Sequence, residues 1–186
     1  DIGAICNDAA FSLMLAHCGI LRERMLRAAR VAFGHRLMMD AIIPGGVVHD
    51  IGTEGMAAIR AALDEVDRAF PHLMQVYDGT TSLQDRTVST GRVSAELVRR
   101  FAAGGHVGRA SGRAFDCRAA LPYAPYDRLT VAPVVFEEGD VDARLRVRAG
   151  EIAVSQGLIR AVLADLPQGP VAMPLARTDG EGLALV

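Results

Sequence analysis

TEGMAAIRAALDEVDRAFPHL, residues 53–73, decides how the rest of the chain is read. Met56, Ile59, Leu63, Val66, Phe70 and Leu73 are separated by 3, 4, 3, 4 and 3 positions, the alternation that lines up side chains on one stripe of a helix. Arg60, Asp64 and Arg68 fall on another face at i,i+4 spacing, where opposite charges support each other. Thr53 is the candidate N-cap. Pro71 is expected to end or kink the helix, because proline removes a hydrogen bond and clashes with the preceding turn. The segment predicts an amphipathic helix over about residues 54–70, with one face committed to a core.

Upstream, Ala9, Leu13, Ala16 and Ile20 recur at helical spacing and Arg22, Glu23, Arg24, Arg27 and Arg30 follow, which predicts one helix over about 5–33, ending at Gly34. Leu37 to Val48 is apolar but interrupted by Pro44-Gly45-Gly46, a break that offers positive φ and close backbone approach. Downstream, 77–92 reads as a polar, turn-rich loop, and Ser94 can cap a short helix to Ala102. Gly104 to Gly112 reads as a glycine-rich loop and Arg128 to Val135 as a short strand. Asp140 can cap a last helix to about Leu166. In that helix Leu145, Ile152, Ile159 and Leu166 repeat every seven residues, while Ala143, Gly150, Gly157 and Ala164 repeat on roughly the opposite side. One face fills a core, and the small-residue face admits a close neighbour. Val171 to Val186 reads as strand, Asp179-Gly180 turn and strand. The sum is a mainly α fold of long packed helices with a few short strands, in a single domain over 1–186.

The 186 residues are 51% hydrophobic and 23% charged, enough apolar mass for one sizeable core and too much for a disordered chain. Net charge is −2, so no field draws nucleic acid, although all twenty basic residues are arginine. The least charged run, Ala9 to Leu21, is shorter than the roughly 20 apolar residues of a membrane-spanning helix. Cys6, Cys18 and Cys117 are widely separated and odd in number, which fits a reducing compartment rather than a disulfide framework. The chain opens at Asp1 without methionine, and it is expected to be a piece of something longer.

His17, His35, His49, His72 and His106 show neither HxxxH nor His/Cys spacing, which gives a self-contained metal site little support. His17 reads as a core or interface histidine. No P-loop, GxGxxG or GxSxG is present. Asp8 stands amid Ile5, Cys6, Ala9, Ala10 and Phe11. A carboxylate in apolar surroundings needs a partner or a raised pKa. The alternative is that it lies in the first turns of its helix and interacts with the positive end.

Gly108-Arg-Ala-Ser-Gly112, Phe115-Asp-Cys-Arg118, Pro122-Tyr-Ala-Pro-Tyr-Asp127 and Gly139-Asp140 with Arg144, Arg148 and Glu151 form an ordered series. Asp8, Arg22-Glu23, Gly34, Arg36, Pro44-Gly-Gly-Val47 and Asp50 precede it. Together they resemble the large subunit shared by complex I and the membrane-bound nickel-iron hydrogenases. Cys6-Asn-Asp8 and Phe33-Gly-His-Arg-Leu37 are more similar to the formate-hydrogenlyase type of energy-converting hydrogenase than to respiratory complex I. Gly150 and Gly157 depart from the charged residues common in that family.

The resemblance implies a mainly helical part of an oxidoreductase complex, hydrogenase or NADH:quinone oxidoreductase, inactive when isolated. Its implied partners are an iron-sulfur small subunit and membrane-arm subunits. Its implied location is the cytoplasmic side of the membrane, held there through the complex without a span of its own. In hydrogenase members two cysteine pairs hold nickel, and neither pair occurs here. No cofactor is therefore expected within this chain, and a nickel-iron centre or a quinone only in the full subunit or complex. The family's PRG segment would begin where this chain stops, after Gly180-Glu-Gly182. By position, Asp8 matches an aspartate at the redox cavity, a proton-relay candidate. Arg109, Asp116 and Arg118 match a salt-bridged loop, and Pro44, Gly45 and Gly46 a backbone turn. A metal-free scaffold is the third reading.

Overall fold

The computed structural model describes residues 1–175 and 180–182. Three helices of 22, 28 and 24 residues dominate: α2 (Ser12–Phe33), α3 (Gly52–Gly79) and α8 (Val141–Ala164). Shorter helices join them: α1 (Ile2–Asp8), α4 (Thr81–Thr87), α5 (Ala95–Arg100), α6 (Gly105–Ala110) and α7 (Cys117–Ala120). The strands β1 (Ile42–Ile43) and β2 (Gly46–Val47) pair antiparallel, Ile42 opposite Val47 and Ile43 opposite Gly46.

The helix expected over 5–33 is two helices. Ala10 takes a left-handed conformation at φ 63°, its N–H donates to Asn7 O, and Phe11 N–H donates to Cys6 O. This pair of bonds is a Schellman termination, which satisfies carbonyls at the end of α1. Alanine rather than glycine at the left-handed position hid it from the sequence. Phe11 packs against the cluster containing Cys6, an apolar contact of the kind that accompanies such ends. Gly34 does end α2, at φ 76°.

Pro71 does not end α3. The apolar stripe continues past it through Leu73 and the fully buried Tyr77, and packing of that extension outweighs the proline's local cost of about 3 kcal/mol. Thr53 lies inside the helix rather than capping it. The expected loop over 77–92 contains α4, anchored by fully buried Leu83, with the Thr87 hydroxyl donating to Leu83 O. Ser94 caps α5 by accepting from Leu97 N–H, and Asp140 caps α8 by accepting from Ala143 N–H at 2.7 Å.

The glycine-rich stretch 104–112 is helical at α6, not a loop. Gly108 makes this possible, since a side chain there would overlap the Ala103 carbonyl. The strand expected at 128–135 is absent. A 3-10 turn occupies Tyr126–Arg128, and the extended chain after it has no strand alongside, bonding instead through Phe136 to Arg109 O and Gly112 N. Val171 and Met173 bond to Val47 and Gly45, but the described part of the hairpin expected at 171–186 forms only an isolated bridge from Ala172 to Gly46, and residues 176–179 and 183–186 lie outside the described residues.

The core forms in three patches. Ile2, Cys6, Met14, Leu73, Tyr77, Leu83 and Leu145 join α1, α2, α3, α4 and α8. Ala32, Ile59, Leu63 and Leu163 join α2, α3 and α8. Ala110, Ala143 and Val147 seat α6 on α8. Gln156, also buried, donates to Leu63 O and ties α8 to α3. On the small-residue face of α8, Ala143 is buried and Gly150 lies against Val134, whereas Gly157 faces open space.

Candidate functional site

The seating of α6 on α8 buries an arginine, and a buried guanidinium has to be paired. Arg109 Nη2 lies 2.5 Å from Glu151 Oε1 on α8, and Nη1 lies 3.8 Å from Asp116 Oδ2 and donates to Phe115 O at 3.0 Å. Its Nε has no hydrogen-bond partner. Asp116 does three jobs. It caps α7 by accepting from Arg118 N–H, it takes a two-pronged bond from the Arg118 guanidinium at 3.0 and 2.8 Å, and it faces Arg109. The Arg118 bonds hold the Asp116 carboxyl below the usual carboxylate range despite its burial. Two arginines and two carboxylates thus balance one another, Arg109 and Asp116 buried, Arg118 and Glu151 half-buried.

Glu151 also faces a cavity of about 450 Å³ between α2, α3 and α8. Its walls are apolar, from Leu21 and Met25 on α2, Val66 and Phe70 on α3, and Ile152 and Ile159 on α8. Polar groups join it from Asp1, Arg22, Arg148 and Glu151. Arg148 pairs with Asp1 and touches the His106 ring. An apolar chamber with a few convergent charged groups is the kind of cleft that binds organic molecules or covers a partner's side chain.

The structure brings Arg109, Asp116 and Arg118 together. It places Asp8 elsewhere, exposed on the last residue of α1 and absent from the cavity lining. Asp8 sits at the C-terminal rather than the positive end of its helix, which corrects the reading by the helix's positive end, and among the described residues no apolar cleft surrounds it. The break at Ala10 explains the change, because it turns the chain at Ala9 to Phe11 instead of continuing one helix. Pro44 and Gly45 form the turn between β1 and β2. Gly45 and Gly46 have φ of 93° and 155°, and the chain at 171–173 packs directly on them.

Nothing local in the sequence marks Asp1 or His106 as a site residue. His106 stands three residues before Arg109 on the same helix, as Arg148 stands three before Glu151 on theirs, and that shared spacing is the signal that could have found it.

The three cysteines are free, Cys6 buried and Cys18 and Cys117 half-buried. Cys6 is fully buried in the core, where burial and nearby Cys18 push its pKa up to about 11, the opposite of a ligand's needs. Among the described residues no group of three or more His, Cys, Asp or Glu could hold a metal ion.

Residues 8–179 match the family model described as respiratory-chain NADH dehydrogenase, 49 Kd subunit. The chain is 33% identical, over 91% of its length, to a carbon monoxide-induced hydrogenase of Rhodospirillum rubrum, of which it covers 47%. It is 31% identical, over 92% of its length, to formate hydrogenlyase subunit 5 of Escherichia coli, of which it covers 30%. Against a subunit of the NADH-quinone oxidoreductase of Clostridium beijerinckii it is 30% identical over 84% of its length, covering 42%. The chain thus spans half or less of the length of these relatives. With the match running through nearly all of its helices, the chain belongs to the family of the respiratory-chain NADH dehydrogenase 49 Kd subunit.

Proposed function

We propose that this chain is part of the large subunit of an energy-converting nickel-iron hydrogenase of the formate-hydrogenlyase type, in which redox chemistry is coupled to proton transfer. The observation that carries the reading is likeness at 33% and 31% identity to proteins named as a hydrogenase and a formate hydrogenlyase subunit, together with Cys6-Asn-Asp8 and Phe33-Gly-His-Arg-Leu37. The second reading is the quinone-reducing large subunit of an NADH:quinone oxidoreductase, supported by the 30% likeness to the Clostridium beijerinckii protein.

In either reading the chain contributes scaffold and proton-handling groups, and the metal or quinone chemistry belongs to the rest of the subunit or complex. Partners are an iron-sulfur subunit and membrane-arm subunits. Exposed Leu37, Met39, Ile42 and Met173 support a place inside a larger assembly, since such apolar side chains gain by being covered. No described helix is long and apolar enough to cross a membrane, in keeping with peripheral attachment on the cytoplasmic side through the complex. Asp8 is the proton-relay candidate. It is exposed and makes no ion pair among the described residues, so its carboxylate is free to meet a neighbouring part of the complex.

Asp8→Asn in the intact complex keeps the shape and removes the titrating group. Turnover is expected to fall at least about tenfold with assembly yield unchanged. Near-normal turnover in a fully assembled variant would overturn the relay.

A further inference from the structure

We propose that the turn joining α5 to α6 is a docking surface for an anionic lipid bilayer, with Leu97 and Phe101 entering the headgroup layer and Arg99, Arg100 and Arg113 meeting lipid phosphates. Charge is lopsided there. Residues 86–113 hold six arginines and one carboxylate, Glu96, in a chain whose net charge is −2. Arg109 is committed to Glu151, and the other five, Arg86, Arg92, Arg99, Arg100 and Arg113, form no ion pair among the described residues. On the long helices, by contrast, Arg24, Arg27, Arg146 and Arg160 all have carboxylate partners. Unpaired basic side chains beside exposed apolar ones are the combination that an anionic membrane surface attracts.

Local structure builds this face. Val98 anchors α5 in the protein, while Leu97, Arg100 and Phe101 follow one another at i, i+3 and i+4, on one side of the helix. Phe101 is 69% exposed and Leu97 45%, and the Arg100 guanidinium lies 5.7 Å from the centre of the Phe101 ring. Arg113 reaches back from beyond α6 to donate to Ala102 O and Ala103 O at 2.7 and 2.8 Å, which brings another cation to the turn. Side chains at Gly104 or Gly105 would meet nothing within 4 Å, so the turn projects into open space. Glu138 stands beside Arg92 and Glu137 beside Gly112, which leaves residues 99–105 without an acid of their own. A protein partner would need a pocket shaped for Phe101, whereas a fluid bilayer accepts a projecting aromatic ring anywhere along its interface while flanking arginines stay with the headgroups. The inference rests on the peripheral placement proposed above and deepens it.

Co-sedimentation of the full-length large subunit, purified without membrane-arm subunits, with lipid vesicles tests this. Binding is expected to vesicles of phosphatidylglycerol and phosphatidylcholine in equal parts and not to phosphatidylcholine alone. Raising the ionic strength from about 0.1 to about 1 M, which shortens the Debye length from about 10 to about 3 Å, is expected to weaken it at least about tenfold. Arg99→Gln/Arg100→Gln is expected to bind at least about tenfold more weakly, since each basic group near such a surface is worth about fivefold, and Phe101→Ser at least about threefold more weakly. Arg30→Gln/Arg68→Gln removes the same charge from exposed positions on α2 and α3 and is expected to stay within about twofold of the wild type. With no membrane-arm subunit present, failure here leaves attachment through the complex standing, and that reading is checked separately by whether the intact complex sediments with native membranes. A wild type that ignores anionic vesicles, an equal loss in the α2/α3 variant, undiminished binding by Phe101→Ser, or preferential capture by soluble polyglutamate, which would assign the face to an acidic protein, overturns the proposal.

Discussion

Removing the charge of Glu151 should unbalance the buried cluster around Arg109. In Glu151→Gln the side chain keeps its size and one acceptor, but Arg109 and Arg118 are left with Asp116 as their only anion among the described residues. At the observed 2.5 Å, and with an effective dielectric of about 20, Arg109 and Glu151 attract by about 7 kcal/mol, against about 4 kcal/mol for Asp116 at 3.8 Å. Most of that attraction is offset by desolvation, and breaking one side of a buried pair typically costs about 3 to 5 kcal/mol. Glu151 borders the cavity, which lets water reach the vacated side, so the lower end, about 3 kcal/mol, is expected. For a chain of this length that lowers the melting temperature by roughly 6 to 12 °C. Urea denaturation followed by circular dichroism, run on Glu151→Gln, Arg109→Met and the double variant, gives the coupling. The double should cost less than the sum of the singles by at least about 1.5 kcal/mol. Additive costs, within about 0.5 kcal/mol, would refute the idea that the two residues act as a pair.

Asp140→Ala removes acceptors from both Ala143 N–H and Ser89 N–H, each at 2.7 Å, and should cost about 2 to 4 kcal/mol, whereas Asp140→Ser, which keeps the cap alone, should recover about 1 kcal/mol of it. Both values are read from the same urea midpoints. The carboxyl of Asp116 is held low in the folded chain, so its contribution is full above the ordinary carboxylate pKa of about 4 and is lost as pH falls through the folded value. Urea midpoints measured down the acid limb should fall less steeply in Asp116→Asn than in the wild type, and equal slopes would count against that linkage.

Elements set by local chemistry were legible in the sequence. Asp140 and Ser94 cap the helices they were expected to cap, and Gly34 stops α2, because a short acceptor side chain or a residue tolerant of positive φ acts within a few positions of itself. What tertiary packing decides was not legible. Ala10 has no sequence signature for a left-handed residue, and buried Tyr77 carries α3 past a proline that local rules read as a stop. The site divides the same way. Arg109, Asp116 and Arg118 fall within one ten-residue stretch and are legible together, whereas His106, Arg148 and Asp1 meet only after α1, α6 and α8 have packed. Asp8 shows the converse. Its neighbours Ile5, Cys6, Ala9 and Phe11 face the core, while Asp8 itself stays exposed at the end of α1.

The measurement that bears most directly on the function is made on the intact complex containing this subunit: nickel per large subunit by elemental analysis, with hydrogen evolution and quinone reduction assayed on the same preparation. The hydrogenase reading predicts about one nickel per subunit and hydrogen evolution that is lost when nickel is withheld during growth. A nickel-free complex that reduces quinone at full rate and evolves no hydrogen would contradict it.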